Sequence, residues 1–410
     1  MAMAEHLDPL PGAGPANADV AEVLEQETTQ RTAFKTLVGV AWMYGGRGVG
    51  LLFTLALLGR LGIGDYGLYT MAFAFATIVG PTLDAPWSVR VIRESEERFL
   101  RERVSRYLVG VTLMAAGAAL IPFTFIGFFG LVQSGGEIAF NCWLSRDVRD
   151  GHPERVFKWT ATRQIVGVAL ACIYLFAVHH PTVQIACLLY CVPYLVIAVF
   201  SGFVVRGHRP GWPGTFRLMG ILMGEMLFGT TLYLQGDVLL LGWLTNSTIV
   251  GYYSIGLIIA GALAGVGQSF VMTYHEPLRK SGGDLSTGPK LRTTLFLAAA
   301  LAIVEIIVGV GVLLSPAAPV IGYVMLIVAG FASFRTVIVV FQVILYAQHR
   351  DRLRFVASVS LIPVKFALLA LLVWMGLGAI GAAITTTVAD AALLAVFSLA
   401  LYGKWKVPAR

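Results

Sequence analysis

Charged residues are scarce in this sequence, because Asp, Glu, Lys and Arg together fill only 13% of its 410 positions. Soluble domains carry roughly 25% charged residues, so a soluble enzyme is excluded. A hydrophobic share of 57% also excludes a disordered chain. Cysteine is rare enough to exclude a disulfide-rich scaffold. We interpret the four cysteines as small buried side chains in or beside apolar runs, at Cys142, Cys172, Cys187 and Cys191.

Recognisable catalytic motifs are absent too. The sequence contains no phosphate-binding P-loop, no metal-ligand cluster and no G-x-S-x-G nucleophile motif. The loops predicted on the outer side are too short for the acidic catalytic loop of a multispan glycosyltransferase. We therefore expect a protein that is not an enzyme and that needs neither a cofactor nor a resident metal.

Long apolar runs occupy most of the chain, and the mean hydropathy is +0.77. About 20 apolar residues suffice for a helix to cross a bilayer. The runs predict an all-α polytopic membrane protein with about 12 transmembrane helices, preceded by a disordered acidic cytoplasmic tail at 1–32. The predicted spans are 36–58, 66–89, 105–124, 126–145, 157–178, 183–205, 218–244, 249–273, 293–314, 319–346, 355–375 and 378–402.

Basic residues alternate between the predicted loops. Loops with almost no charge follow the odd-numbered spans, and arginine-rich loops follow the even-numbered spans. Because cytoplasmic loops are enriched in Lys and Arg, we predict a plasma-membrane protein with both termini in the cytoplasm. Topology then accounts for the net charge of +7, and no nucleic-acid partner is expected. The residues assigned to the cytoplasmic side include Arg103, Arg106 and Arg163.

Spans 3 and 4 are the least regular part of this topology. Both must fit into about 104–145, which is tight for two crossings. A single long span would put every later arginine-rich loop outside, against the positive-inside rule. We therefore predict two short spans that are either tilted or joined by a compressed hairpin.

The two halves of the chain share short strings at matching positions. Leu-Leu-Gly-Arg-Leu at 57–61, followed by Gly-Leu-Tyr-Thr at 67–70, recurs as Leu-Leu-Gly-Trp-Leu at 240–244, followed by Gly-Tyr-Tyr-Ser at 251–254. In both copies the first string ends a span and the second begins the next one. Since each half has six spans, we expect a pseudo-two-fold axis along the membrane normal, with a site between the halves.

These strings resemble those of a known group of transporters. Phe-Lys-Thr-Leu at 34–37 leads into a glycine-rich span that contains Arg47, and Leu-Leu-Gly-Arg-Leu-Gly-x-Gly-Asp-Tyr-Gly-Leu-Tyr follows at 57–69. The second half has Gln-Gly-Asp-Val-Leu-Leu-Leu-Gly at 235–242 and Val-Gly-Tyr-Tyr-Ser at 250–254. Over about 31–402 the chain resembles the polysaccharide transporter, or O-antigen flippase-like, family of the multidrug/oligosaccharidyl-lipid/polysaccharide exporter superfamily.

The resemblance implies two six-helix bundles that face each other across a central cavity. We assign them to 33–210 and 211–403, with a short cytoplasmic tail at 404–410. It also implies alternating access and a substrate made of sugars on a polyprenyl diphosphate. The chain lacks the thirteenth and fourteenth helices typical of lipid II flippases, which argues against lipid II itself as the substrate.

Cations inside the predicted spans are candidate functional residues, because a charge in the bilayer is costly unless it faces water or a partner. Arg47 in span 1, Arg335 in span 10 and Lys365 in span 11 are predicted to bind the diphosphate. Gln342, on the helix face of Arg335, and Tyr233 in span 7 are expected to line the same cavity. The alternatives are a structural ion pair with an acid of another span for Arg47, helix packing through polar side chains for Arg335, and a side chain that reaches towards the cytoplasm for Lys365.

Acidic residues lie inside the spans as well, and one of them, Glu137, forms a polar stripe with Gln133 and Asn141 on one face of span 4. Glu225, Asp237, Glu137 and Asp84 are predicted to couple transport to H⁺ or Na⁺, or to line the cavity. The alternative is that they pair with the three cations above. Because the in-span acids outnumber those cations, some are expected to be protonated or wet. The full set is Asp84, Glu137, Glu225, Asp237, Glu305 and Asp390.

Two arginines follow span 2 on the predicted cytoplasmic side. Arg90 and Arg93 are candidates for the inner mouth of the cavity, where they would meet the diphosphate. The alternative is that they only mark the cytoplasmic side, close to anionic headgroups.

The leading hypothesis is a transporter that flips a polyprenyl-diphosphate-linked oligosaccharide, a precursor of a cell-envelope polysaccharide, across the bacterial plasma membrane. Its expected partners are the lipid-linked sugar, membrane lipids, H⁺ or Na⁺, and a glycan polymerase or glycosyltransferases. A cation-coupled multidrug exporter of the same superfamily is an alternative, although central arginines would repel organic cations. A non-transporting membrane component of a polysaccharide assembly system is another.

Overall fold

A computed structural model describes residues 41–42, 45–46, 48–91, 94–150, 152–316 and 318–403, and these residues form helices without strands. The predicted tails at 1–32 and 404–410 lie outside the described residues. One turn, Leu227–Thr231, is π-helical. The helices are α1 (Gly48–Leu61), α2 (Ile63–Arg90), α3 (Glu96–Ala119), α4 (Phe125–Arg149), α5 (Pro153–Ala177), α6 (Val183–Val205), α7 (Phe216–Met226), α8 (Leu232–Leu244), α9 (Ser247–Met272), α10 (His275–Lys280), α11 (Leu291–Leu313), α12 (Pro319–Ala347), α13 (Asp351–Trp374) and α14 (Gly378–Tyr402).

These helices follow the predicted spans in order, with α7 and α8 together forming span 7 and the short α10 lying between spans 8 and 9. Nine of the helices within the described residues are long and apolar enough to cross a membrane. The expected all-helical, multi-pass membrane protein is therefore confirmed. In the described part of span 1, α1 is shorter than these nine, and α3 and α4 carry more polar residues.

The predicted hairpin of spans 3 and 4 is present, but it is less compressed than the sequence suggested. Helix α3 begins at Glu96, nine residues before the predicted start at 105, so α3 and α4 have 24 and 25 residues. At 1.5 Å per residue, each helix is about 36 Å long, enough for a full crossing. Arg149, the last residue of α4, donates to the carbonyl oxygen of Glu94 just before α3, so the two helices run antiparallel.

Two of the clusters that form the hydrophobic core each lie within one half of the sequence, and a third joins Ala74 of α2 to buried residues of the second half. One cluster of buried residues is built from α1 to α6 and includes Phe53, Phe129 and Tyr194. Another is built from helices of the second half and includes Leu345 and Phe397. This separation agrees with two bundles, although the exact bounds 33–210 and 211–403 stay a prediction.

The repeated strings of the two halves meet at the beginnings of α2 and α9. A Cβ added to Gly67 would lie 1.7 Å from the carbonyl oxygen of Ser247, and one added to Gly251 would lie 2.4 Å from that of Ile63. Only glycine permits such a close approach of two backbones. One turn further on, Ser254 and Thr70 are joined by a hydrogen bond of 3.2 Å. We call the set Gly67, Thr70, Gly251 and Ser254 the outer contact, after its predicted side of the membrane.

Candidate functional site

A cavity of about 350 Å³ lies between α2 and α4, and α7 of the second half borders it through Met226, next to the π-helical turn. Three polar residues of α4, Gln133, Glu137 and Asn141, are spaced four residues apart and therefore share one helix face. They were predicted as a stripe in span 4, and the structure places them on the cavity wall. We call this space the α2–α4 cavity; its polar lining consists of Thr77, Asp84, Ser88, Gln133, Glu137 and Asn141.

Asp84 organises one end of the α2–α4 cavity. Its carboxylate accepts two hydrogen bonds from Arg106 of α3, at 2.6 and 2.5 Å, in a bidentate ion pair. Ser88 donates to the same carboxylate at 2.8 Å and Asn141 donates to it at 3.0 Å. Both ion-pair side chains are almost completely buried. Four hydrogen bonds therefore fix Asp84 and leave it little capacity for a further ligand.

Glu137 forms a second network on the same cavity wall. Tyr194 of α6 donates to Glu137 Oε1 at 2.5 Å, and Arg163 of α5 pairs with the same oxygen at 3.2 Å. Arg163 also donates to the Tyr194 hydroxyl and lies over its ring, 4.5 Å from the centroid. Gln133 donates its amide N–H to the Tyr194 hydroxyl at 2.8 Å. The tyrosine hydroxyl thus accepts two bonds and donates one, which is its full capacity.

A different group of predicted site residues gathers in the second half, away from this cavity. Lys365 pairs with Asp237 at 3.0 Å, and both side chains are nearly inaccessible. The Lys365 ammonium also donates to the backbone oxygen of Tyr233 at 2.9 Å. Asp237 in turn accepts hydrogen bonds from the hydroxyls of Tyr253 and Thr386, at 2.5 and 2.6 Å. The structure therefore makes Asp237 and Lys365 partners of each other.

Arg335 is paired in the same region. It donates to Asp390 at 2.6 Å, and the Tyr233 hydroxyl donates to the same carboxylate oxygen at 2.8 Å. Tyr233 lies between the two pairs, with Arg335 and Lys365 at 5.5 and 5.2 Å from its ring centroid. We call Tyr233, Asp237, Arg335, Lys365 and Asp390 the C-terminal charge cluster. None of its members lines the α2–α4 cavity.

Other predicted residues are not brought to these sites. Glu225 lies on the exposed side of α7, and Gln342 is half-buried on α12. Arg90 is paired with Glu94 and with Glu102, the latter at 3.0 Å. A pair of acids around Arg90 favours its structural interpretation over a free phosphate-binding group. The remaining candidates, Arg47 and Arg93, lie outside the described residues.

Two functional candidates were assigned to the wrong environment by the sequence analysis. Arg106 and Arg163 were counted among the cytoplasmic residues, whereas the structure buries both inside the helical bundle, at 5% and 8% exposure. The missed signal was their position, because they fall within the predicted spans at 105–124 and 157–178. The positive-inside rule counts charges and does not distinguish a buried arginine from a loop arginine.

Counting Arg106 and Arg163 as buried cations also changes the balance of acids and bases inside the bundle. The sequence analysis expected in-span acids to outnumber their partners, but Asp84 and Glu137 pair with arginines that the count had left out. Asp237 and Asp390 pair with Lys365 and Arg335. Among the residues that the structure describes, neither the exposed Glu225 nor the fully buried Glu305 of α11 has such an ion pair. Buried charges in these bundles are thus largely neutralised locally.

Within the described ranges, no three His, Cys, Asp or Glu side chains are grouped to hold a metal ion. The described site therefore offers charge-balanced hydrogen-bonding walls rather than a metal centre or a row of unpaired cations. Such walls suit the binding of a polar molecule by hydrogen bonds and not by net charge.

Known protein structures with the same fold are membrane transporters. The lipid II flippase MurJ in an inward closed conformation matches with a TM-score of 0.67 and 11% identity, over 89% of this chain and 87% of that one. An inward-facing multidrug resistance MATE family transporter of the MOP superfamily matches with a TM-score of 0.62 and 12% identity, over 87% and 94%. The Vibrio cholerae MATE transporter VcmN matches at 0.55 and 12% identity, over 92% and 98%.

Comparisons of the sequence, by contrast, gave no match. No family model matches the chain. No curated protein matches it either. At 11–12% identity the matches establish that this chain shares its fold with these transporters. One of them is named as a member of the MOP superfamily, which is the superfamily that the helix-end strings resemble.

Proposed function

We propose that this chain is an alternating-access transporter that flips a polyprenyl-diphosphate-linked oligosaccharide across the bacterial plasma membrane. The observation that carries the proposal is the position of the α2–α4 cavity, an internal space that is lined in part by six polar side chains and is bordered by helices from both halves of the chain. A hydrophilic headgroup needs such a space because hydrocarbon offers no hydrogen-bond partners.

The outer contact supports the same proposal. In the predicted orientation, α2 and α9 begin on the outer side, where the glycine strings bring the two halves together. The polar residues of the cavity lie further along α2, towards its predicted cytoplasmic end. A contact that closes the outer side, together with polar cavity residues nearer the cytoplasmic side, is expected of an inward-oriented state in an alternating-access cycle.

Charge pairing argues against the alternative of a cation-coupled multidrug exporter. An organic cation is best held by an acid without its own partner, but the cavity acids Asp84 and Glu137 are each paired with an arginine. The lipid II flippase among the structural matches has a lipid-linked substrate, whereas the MATE transporters are named for multidrug resistance. We favour the lipid-linked substrate because neutral, hydrogen-bonding walls suit sugars.

Reconstitution tests this function directly. Purified protein is placed in liposomes with a polyprenyl-diphosphate-linked oligosaccharide that carries a fluorescent label on the sugar, and a membrane-impermeant quencher is added outside. Labelled lipid of the inner leaflet should become accessible faster than in protein-free liposomes. Uptake of a fluorescent organic cation without any lipid flipping would instead favour the multidrug exporter, and activity on neither substrate would favour a non-transporting component.

Depletion in cells gives an independent test. Loss of the protein should cause an inward-facing polyprenyl-diphosphate sugar to accumulate, which lipid extraction and mass spectrometry would detect. Unchanged lipid-linked sugar levels in depleted cells with intact surface glycan would contradict the proposal.

A further inference from the structure

We infer that the α2–α4 cavity binds an uncharged sugar of the headgroup, through its hydroxyl groups, and not the diphosphate. This inference rests on the proposed function and assigns part of the substrate to one wall of the protein. It departs from the sequence-based expectation that cations would dominate the cavity.

Charge balance is the first argument. Two carboxylates lie on the cavity wall, and each is held by its own arginine, Asp84 by Arg106 and Glu137 by Arg163. Together with these two arginines, the carboxylates of the described lining carry no net charge. A diphosphate would meet carboxylates there and no uncommitted cation among the described lining residues, so its transfer from water would not be compensated.

An unused acceptor is the second argument. Gln133 lines the cavity and is only 5% exposed. Its amide N–H is occupied by Tyr194, whereas its Oε1 has no hydrogen-bond partner among the described residues. A buried acceptor without a donor is costly, because the loss of its hydrogen bonds to water is not compensated by a bond inside the protein. A ligand that brings hydroxyl donors would satisfy it.

Two further residues on the same face of α4 as Gln133 also offer hydrogen-bond acceptors, namely Glu137 and Asn141. In Glu137 the described contacts occupy Oε1, which leaves Oε2 to the cavity side of a half-buried carboxylate. Asn141 uses its N–H on Asp84, so its oxygen is the atom left for a ligand. These residues recur every four positions, about 6 Å along the helix. A row of acceptors fits a molecule with several hydroxyl donors.

Size and shape agree with this class of ligand. A cavity of about 350 Å³ is within the range of small-molecule sites. Phe73 of α2 lies on its wall and offers an apolar surface to the C–H face of a sugar ring. Oxygen acceptors for the sugar hydroxyls on the α4 wall and an aromatic ring on the α2 wall together suit a neutral carbohydrate.

The test measures binding of two lipids to the full chain in nanodiscs. The probes are undecaprenyl diphosphate bearing one of a panel of uncharged disaccharides, and bare undecaprenyl diphosphate. Gln133→Met should lower the affinity for the best sugar-bearing lipid about 3- to 10-fold and leave the affinity for the bare lipid unchanged. Gln184→Met, on an exposed residue at the start of α6, is the matched control and should change neither.

Glu137→Gln provides a second variant if Gln133→Met folds poorly. The substitution replaces an acceptor oxygen by a donor and leaves Arg163 without its carboxylate. Because both lipids carry the diphosphate, any attraction to the uncovered Arg163 applies to both, and we expect the affinity for the sugar-bearing lipid to fall about 3- to 10-fold relative to that for the bare lipid. Equal changes in affinity for both lipids would overturn the sugar assignment.

The outcome separates this inference from the proposed function. If the wild-type protein flips the sugar-bearing lipid but both variants bind it normally, the function stands and the subsite is wrong. If the wild-type protein neither binds nor flips any lipid of the panel, the proposed function fails and the subsite fails with it.

Discussion

Ser254 donates a hydrogen bond to Thr70 at 3.2 Å, and the two residues hold equivalent positions in the two halves of the chain. Each is the fourth residue of a repeated string, and the glycines that begin these strings, Gly67 and Gly251, allow the backbones to touch. Contact between equivalent residues is what an approximate two-fold axis between two similar units produces. Separation of the halves on this side must therefore break the outer contact.

Gly251→Ala should weaken the outer contact. The new Cβ would lie 2.4 Å from the carbonyl oxygen of Ile63, a backbone atom that cannot rotate away. Overpacking of this kind costs about 1–3 kcal/mol, so the two halves should separate more often on the outer side. In a Ser254→Cys background, Gly251→Ala should increase the rate of labelling by a membrane-impermeant maleimide added outside.

Gly261→Ala is the control for that experiment, because Gly261 lies on the same helix and an added Cβ meets no atom within 4 Å. It should leave the labelling rate of Ser254→Cys at its starting value. If the two alanine variants label equally fast, the outer contact does not hold the halves together.

Cysteine labelling can also test the hairpin of α3 and α4 and the predicted orientation. Phe123 is 80% exposed in the turn between these helices, and Ser286 is exposed between α10 and α11. In intact cells, Phe123→Cys should react with the impermeant maleimide, whereas Ser286→Cys should react only after lysis. The opposite labelling pattern would show that the topology is inverted. Labelling of both cysteines without lysis would show that the number of membrane crossings between positions 123 and 286 differs by one from the predicted number.

Most of the fold could be predicted from the sequence because apolar runs determine helices in a membrane. The start of α3 was the exception, since its first turns contain Arg98, Arg101 and Arg103 and look like a loop by hydropathy. In the structure Arg103 donates to the backbone oxygen of Cys142 on α4. An arginine that finds such partners inside the protein can belong to a helix that hydropathy does not recognise.

For the candidate site, the sequence predicts which residues share a face of one helix but not which residues of different helices are in contact. The stripe of Gln133, Glu137 and Asn141 follows from a spacing of four residues, and the structure places it on a cavity wall. The pairing of Glu137 with Arg163 depends on how α4 and α5 pack, and no local pattern encodes that contact. Sequence periodicity identifies the face of one helix, whereas partners on another helix need the tertiary structure.

Arg106→Lys should damage the α2–α4 cavity while preserving the charge. Lysine cannot reproduce the two parallel hydrogen bonds from Arg106 to Asp84, so the carboxylate loses its fixed position. We expect a loss of about 1–3 kcal/mol in the free energy of unfolding, together with slower lipid flipping. Denaturant unfolding in detergent and the liposome assay would measure the two effects.

Arg98→Lys is the matched control, because the Arg98 side chain is 70% exposed and its ion pair with Glu94 lies on the surface. Exposed pairs contribute only about 0–1 kcal/mol, so stability and flipping should stay near the wild-type values. Identical behaviour of the two lysine variants would show that the bidentate pair with Asp84 is unimportant.

A double-mutant cycle on Asp237 and Lys365 decides between ion coupling and structural pairing. Lys365→Met should cost about 3–5 kcal/mol of unfolding free energy, because it leaves Asp237 buried without its counter-charge. Lys365→Met combined with Asp237→Leu should cost much less than the sum of the single changes, since the hydroxyls of Tyr253 and Thr386 lie 2.8 Å apart and can bond each other. Chemical unfolding of the wild-type protein, the two single variants and the double variant measures the interaction energy between Asp237 and Lys365.

The transport response of the double variant then decides the role of Asp237. If the double variant is stable and still flips lipid with an unchanged response to H⁺ and Na⁺ gradients, Asp237 is a structural partner of Lys365. If the double variant is stable but no longer responds to either gradient, Asp237 carries the coupling ion. Additive losses in stability would contradict the ion pair itself, because two groups that do not interact cannot compensate for each other's removal.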